Sequence, residues 1–132
     1  NNYILMLDRY TTSNMVHQAC KLKNEKEILE AIKWIAQFEF EDLKLPIPDL
    51  VYYLNISDKF SEKLIANRKD NAGIKKDIHE INSEYLKRAR ECGCICANYF
   101  GWEIINCDNG ENLRSIDDIH QEVYTLMKKI IK

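Results

Sequence analysis

The residues richest in chemistry are Asp8-Arg9-Tyr10-Thr11-Thr12-Ser13-Asn14, which follow the apolar run Tyr3 to Leu7 and precede a helical pattern. In parallel α/β sheets, ligands bind outside the carboxyl ends of the strands. A carboxylate, a guanidinium, hydroxyls and the free amides of a helix start would converge there on an anion. The pattern alone fits a blander arrangement equally well, with Asp8 and Arg9 as a local salt bridge and Ser13 or Asn14 as a helix N-cap. A second polar segment, Arg68 to Glu80, carries Arg68, Lys69, Lys75 and Lys76 between two helical patterns. It reads either as a solvated helix connection or as a mobile lid whose cations close over a phosphate ligand.

The elements that must position these residues follow from apolar spacing. Runs at Tyr3 to Leu7, Leu50 to Ile56 and Trp102 to Asn106 predict strands buried on both faces. Ile28, Ala31, Ile32, Ile35 and Phe38 predict a helix, as do Leu86, Ala89, Cys92, Cys96 and Tyr99. Ile116, Ile119, Val123, Leu126 and Ile130 predict a third, N-capped by Ser115 with Asp117 and Asp118 in its first turn. Leu45-Pro46-Ile47-Pro48-Asp49 is a turn that ends one helix and launches a strand. The alternation predicts an α/β fold with a parallel sheet in a single domain.

The chain has 132 residues, of which 45% are apolar and 30% charged, so it can fill a core and is neither a disordered tail nor a fibre. With 19 basic and 21 acidic side chains the net charge is -2, which provides no field for nucleic acid or an anionic membrane surface. No apolar run reaches bilayer length, and the first residues lack the basic flank and cleavage site of a signal peptide, so a cytoplasmic setting is expected. Five cysteines, three of them in Cys92-Gly93-Cys94-Ile95-Cys96, read as reduced thiols. On a helix Cys92 and Cys96 share a face while Cys94 points away, which suits inert buried thiols better than a metal site. Trp34 and Trp102 are expected in the core, and His120 at its boundary.

The block Asp8-Arg9-Tyr10-Thr11-Thr12-Ser13-Asn14-Met15-Val16-His17-Gln18 resembles the Asp-Arg-Tyr, Ser-Asn, aromatic-Gln signature of thymidylate kinases. Leu45-Pro46-Ile47-Pro48-Asp49-Leu50-Val51, Arg68, Asp77-Ile78-His79-Glu80, Asn106-Cys107-Asp108 and Leu113-Arg114-Ser115-Ile116 continue the family's order. The resemblance implies a three-layer nucleoside monophosphate kinase fold with a P-loop, and transfer of the γ-phosphoryl of ATP to dTMP with Mg2+. It implies that Arg9 holds the monophosphate and neutralises the transferring group, with Asp8 near the phosphates and the magnesium ion. Ser13 and Asn14 would face the nucleotide, Asn14 at the thymine edge, where an amide can donate and accept together. His17 falls where many relatives have a tyrosine against the deoxyribose, so sugar selection is the point of departure; Gln18 matches a neighbouring site residue. Arg68 with Lys75 or Lys76 would form the ATP lid over 68–80, His79 and Glu80 would approach the acceptor nucleotide, and Arg114, Ser115 and Ile116 would form the adenine-side loop. A homodimer is also implied, for which Ile28, Ile32, Ile35 and Phe38 offer a face, although packing on the sheet requires the same pattern.

The four glycines precede Ile, Cys, Trp and Glu, so the chain holds no Gly-Lys pair and no phosphate-wrapping G-x-x-x-x-G-K-[ST] loop. The resemblance is therefore to the C-terminal part of such a kinase, with the first strand and P-loop outside the 132 residues. Two alternatives stand beside it: another deoxynucleotide or deoxynucleoside kinase of the same fold, or a noncatalytic nucleotide-binding remnant. The chain alone is expected to be neither a native-like monomer nor a catalyst. Phosphorylation of dTMP by the isolated chain with ATP and magnesium would contradict that expectation.

Overall fold

The computed structural model describes residues 3–70 and 79–131. Two short strands, β1 (Tyr52–Asn55) and β2 (Glu103–Asn106), pair in parallel with Tyr52 opposite Glu103 and Asn55 opposite Asn106. Helix α1 (Thr11–Ala19), helix α2 (Glu25–Ala36) and a wide π turn (Gln37–Asp42) precede β1. Helices α3 (Asp58–Asp70) and α4 (His79–Phe100) connect β1 to β2, and α5 (Ile116–Ile130) follows. The architecture is mixed, with a small parallel sheet, as the alternation of apolar patterns predicts.

Local chemistry explains the helix boundaries. Asn24 Oδ1 accepts from the Glu27 amide at 2.9 Å, and the Ser115 hydroxyl accepts from the Asp118 amide at 3.1 Å, satisfying donors that the first turns of α2 and α5 leave open. Helix α4 stops at Gly101, whose φ of 69° lets the Trp102 amide fold back onto the Ala97 carbonyl at 2.9 Å. The core sits between helices: Met15, Val16, Ala19 and Cys20 from the α1 region meet Ile28, Ile32 and Ile35 of α2 and Ala89, Cys92 and Cys96 of α4. Ile32 is fully buried, and all five cysteines are free thiols, Cys92 and Cys96 among the most deeply enclosed side chains. Among the described residues no helix is long and apolar enough to cross a membrane.

Several expectations are corrected. Tyr3 to Leu7 joins no ladder among the described residues and lies exposed, Tyr3 at 88% and Leu5 at 79%. An apolar run favours extended backbone, but a strand exists only where a neighbour completes its hydrogen bonds. The two strands are half-buried rather than covered on both faces; only Ile105 is enclosed. Trp34 is 64% exposed and stacks on Phe38, with ring centroids 5.5 Å apart, so it is no core anchor. Trp102 does pack against the core, partly buried, and His120 is exposed beside Tyr124. Ile28, Ile32 and Ile35 are occupied by the core, which removes them from any dimer face.

The sheet and α4 meet closely at Gly93, where an added Cβ would overlap the hydroxyl end of the Tyr53 ring. The Tyr53 hydroxyl donates to the Arg90 carbonyl at 3.2 Å, and burial pushes its pKa up to about 12. Gly93→Ala should therefore destabilise the chain despite the roughly 1 kcal/mol that alanine gains over glycine in a helix, with a net loss of about 1 kcal/mol or more in chemical denaturation. A variant as stable as the parent would contradict this close approach.

Candidate functional site

The backbone turns at Arg9, which has a φ of 70° and so sits in the left-handed region that residues with a Cβ rarely occupy. Such a conformation costs on the order of 1–3 kcal/mol and persists only where the surroundings impose it. Here it turns the chain from Tyr3 to Asp8 into α1. Tyr10 stands in the N-cap position, extended and without a side-chain cap bond, while its carbonyl accepts from the Ser13 amide at 2.9 Å. The Tyr10 hydroxyl donates to the Pro46 carbonyl at 3.1 Å, pinning the helix start to the Pro46-Ile47-Pro48 turn.

Around this corner Arg9, Tyr10, Ser13, Asn14 and His17 line an open cleft of about 460 Å³. Residues 10, 13, 14 and 17 follow helical spacing, so one face of α1 presents them together. Arg9 Nε donates to Ser13 Oγ at 2.9 Å, which fixes one edge of the guanidinium and leaves its two terminal nitrogens without a hydrogen-bond partner among the described residues. Asn14 Nδ2 donates to Glu39 Oε1 at 3.0 Å. His17 Nδ1 and the Tyr85 hydroxyl lie 2.7 Å apart with the rings nearly parallel. Burial first, and the Arg9 charge second, lower the His17 pKa below 6.5, while burial raises the hydroxyl of Tyr85.

Other candidate residues fall elsewhere. Gln18 lies on α1 outside the cleft lining, its side-chain Oε1 accepting from Lys21 Nζ at 2.7 Å. Asp8 is exposed just before the corner. Arg68 belongs to the last turn of α3, and His79 and Glu80 begin α4, so both ends of the expected lid are helical; Lys75, Lys76 and Asp77 lie outside the described residues. Arg114, Ser115 and Ile116 follow the carboxyl end of β2 and do not line the Arg9 cleft. Arg114 bonds the Asn106 carbonyl at 2.9 Å and Glu122 at 2.5 Å, Ser115 caps α5, and Ile116 is exposed. At the strand ends Asn55 Nδ2 donates to Asn106 Oδ1 at 2.8 Å, and Arg90 Nε donates to Asn55 Oδ1 at 3.0 Å. The Ser57 amide foremost, with that of Gly110, holds Asp108 below the usual carboxylate range.

Two residues of the site escape a reading of the sequence. Tyr85 comes from α4, far along the chain, and nothing local announces it. Glu39 had a signal: it follows Ile32 and Ile35 on the buried stripe of α2, a carboxyl where an apolar side chain belongs. Among the described residues no three His, Cys, Asp or Glu side chains gather into a metal cage. Mg2+ commonly takes one or two carboxylates together with substrate phosphates, and Asp8 beside the corner is compatible with that smaller demand.

The site is an open cleft, lined by one guanidinium and several polar side chains, at a left-handed corner leading into a helix, in a chain with a small parallel sheet. No protein-family model and no solved structure matches the chain significantly. Among curated proteins it is similar to the thymidylate kinases of two Mycobacterium tuberculosis strains, CDC 1551/Oshkosh and ATCC 25618/H37Rv. Each is 30% identical over 86 residues, covering 64% of this chain and 40% of the relative. The relationship is thus distant and partial, and the chain spans about two fifths of the length of these relatives. The parallel sheet is compatible with an α/β kinase-like fold.

The lowered pKa of His17 has a testable sign. The folded state binds this proton less readily than the unfolded chain, so His17 leaves stability unchanged above pH 6.5 and lowers it as pH falls from 6.5 through the folded value. NMR titration of the ring should give a midpoint below 6.5, raised part of the way back in Arg9→Ala. A midpoint at or above 6.5 would contradict the half-buried position beside Arg9.

Proposed function

We propose that the gene product containing this chain is a thymidylate kinase that transfers the γ-phosphoryl of ATP to dTMP, giving dTDP, and that this chain carries the acceptor side. The observation that carries the reading is the gathering of Arg9, Ser13, Asn14 and His17 around one open cleft. The distant similarity to thymidylate kinases supports it. In this reading the terminal nitrogens of Arg9 grip the monophosphate in a two-pronged contact, because a guanidinium matches phosphate geometry and carries its charge at every working pH. Ser13 steadies the guanidinium through Nε, Asn14 meets the pyrimidine edge, and His17 forms the wall against the sugar.

Phosphoryl transfer asks the protein mainly for positioning and charge stabilisation. Arg9 supplies the positive charge on the acceptor side. Arg68, Lys75 and Lys76 are assigned to a lid over the donor phosphates, with His79 and Glu80 at its acceptor end. Ile116 offers an apolar face to the adenine, while Arg114 and Ser115 shape that loop. Mg2+ would supply further charge neutralisation, with Asp8 the residue assigned near it. A loop that cradles the donor phosphates has no counterpart in these 132 residues and belongs in this reading to polypeptide outside them. The setting is cytoplasmic, the fold that of a P-loop nucleoside monophosphate kinase, and a homodimer would have to use a surface other than the buried stripe of α2.

His17 favours one further reading. An imidazole at the sugar wall, with Tyr85 behind it, is a different surface from the tyrosine of the resemblance, and it suits another deoxynucleotide kinase of the same fold. Substrate profiling decides: turnover with dTMP well above dCMP, dGMP and thymidine supports the thymidylate reading, and preference for one of the others replaces it. In the gene product, Arg9→Ala should lower kcat by about 10²–10³-fold, the usual cost of losing one charge-stabilising donor, and Arg9→Lys should fall between. Near-normal turnover in Arg9→Ala would remove Arg9 from this role.

A further inference from the structure

We infer that Glu39 locks the Asn14 amide in one flip state and so sets which pyrimidine edge the cleft accepts, an inference that rests on the nucleotide reading above and deepens it. Glu39 is only 7% exposed and stands in the π turn directly behind Asn14. Segments of π geometry recur at functional sites because the widened turn re-aims a side chain. The carboxylate is an acceptor, so the atom of Asn14 that faces it at 3.0 Å is the nitrogen, not the oxygen. That contact removes the ambiguity of an amide whose two ends are nearly the same shape.

The consequence lies at the cleft, where Asn14 is exposed. With Nδ2 tied back, Oδ1 remains as the amide's free acceptor. It complements the N3–H of an imide, as in thymine, and opposes the bare N3 of cytosine. Without the lock the amide can turn over and greet either base. The price is visible, since Glu39 Oε2 is buried without a hydrogen-bond partner among the described residues. A buried polar atom left unpaired costs stability, and packing alone would be better served by an apolar side chain on this stripe.

Glu39 is thus a positioning residue acting through Asn14. In Glu39→Gln the new side chain offers both a donor and an acceptor, and the lock is lost with little change of shape. Binding of dTMP and dCMP to the gene product containing this chain reads the effect as a ratio. The preference for dTMP should fall about tenfold in Glu39→Gln, the worth of one hydrogen bond, while the sum of phosphate contacts is kept. A merely structural Glu39 would weaken both nucleotides by the same factor, and an unchanged ratio overturns the inference. If the parent binds dTMP no better than dCMP, the thymidylate reading of the cleft fails and takes the lock with it. Should the variant not fold, NMR of the parent decides: a downfield Asn14 side-chain amide proton, slow to exchange with water, supports the lock, and averaged, fast-exchanging amide protons overturn it.

Discussion

The left-handed turn at Arg9 is the constraint on which the site depends. An ordinary extended residue there would carry the chain past α1 and leave the guanidinium without Ser13 to rest on. With φ at 70°, the residue spends conformational energy so that a cation, a hydroxyl, an amide and an imidazole meet on one side of a helix start. The surroundings that hold it are specific: Ser13 grips Nε, Tyr10 reaches the Pro46 carbonyl, and the first turn of α1 closes on the Tyr10 carbonyl.

Beneath that corner the core is helical rather than sheet-centred. Met15, Val16 and Ala19 seat the inner face of α1 on α2 and α4, and the outer face then has no choice but to present residues 13, 14 and 17. The same packing delivers the two partners that shape the cleft from behind. Glu39 arrives from the π turn after α2, and Tyr85 from α4, each holding one polar side chain of α1 in a set orientation. Chemistry at the surface is therefore positioned by contacts made one layer down.

Local features of this molecule were legible in its sequence, and dependent ones were not. The cluster from Arg9 to His17 could be read because its members lie within a few turns of one another. The cap at Ser115 follows from short-range hydrogen bonding, and the three helical stripes follow from local apolar spacing. Tyr3 to Leu7 has the composition of a strand, yet strand formation depends on a neighbour that composition cannot supply. Trp34 has the size of a core residue, yet it lies between Ile32 and Ile35, off the inward stripe, and reaches solvent. Glu39 carries a charge where the buried stripe of α2 continues, but nothing local announces the π turn that draws its carboxyl inward. Gln18 has the right neighbours in sequence but turns to Lys21, because a single step along a helix rotates a side chain by about 100°.

A crystal structure of the gene product containing this chain with dTMP bound tests the account most directly. The account predicts the nucleotide phosphate within about 3 Å of the terminal nitrogens of Arg9 and the base edge against Asn14. A nucleotide seated elsewhere, with the Arg9 side chain still resting on Ser13 and touching no phosphate, would contradict it.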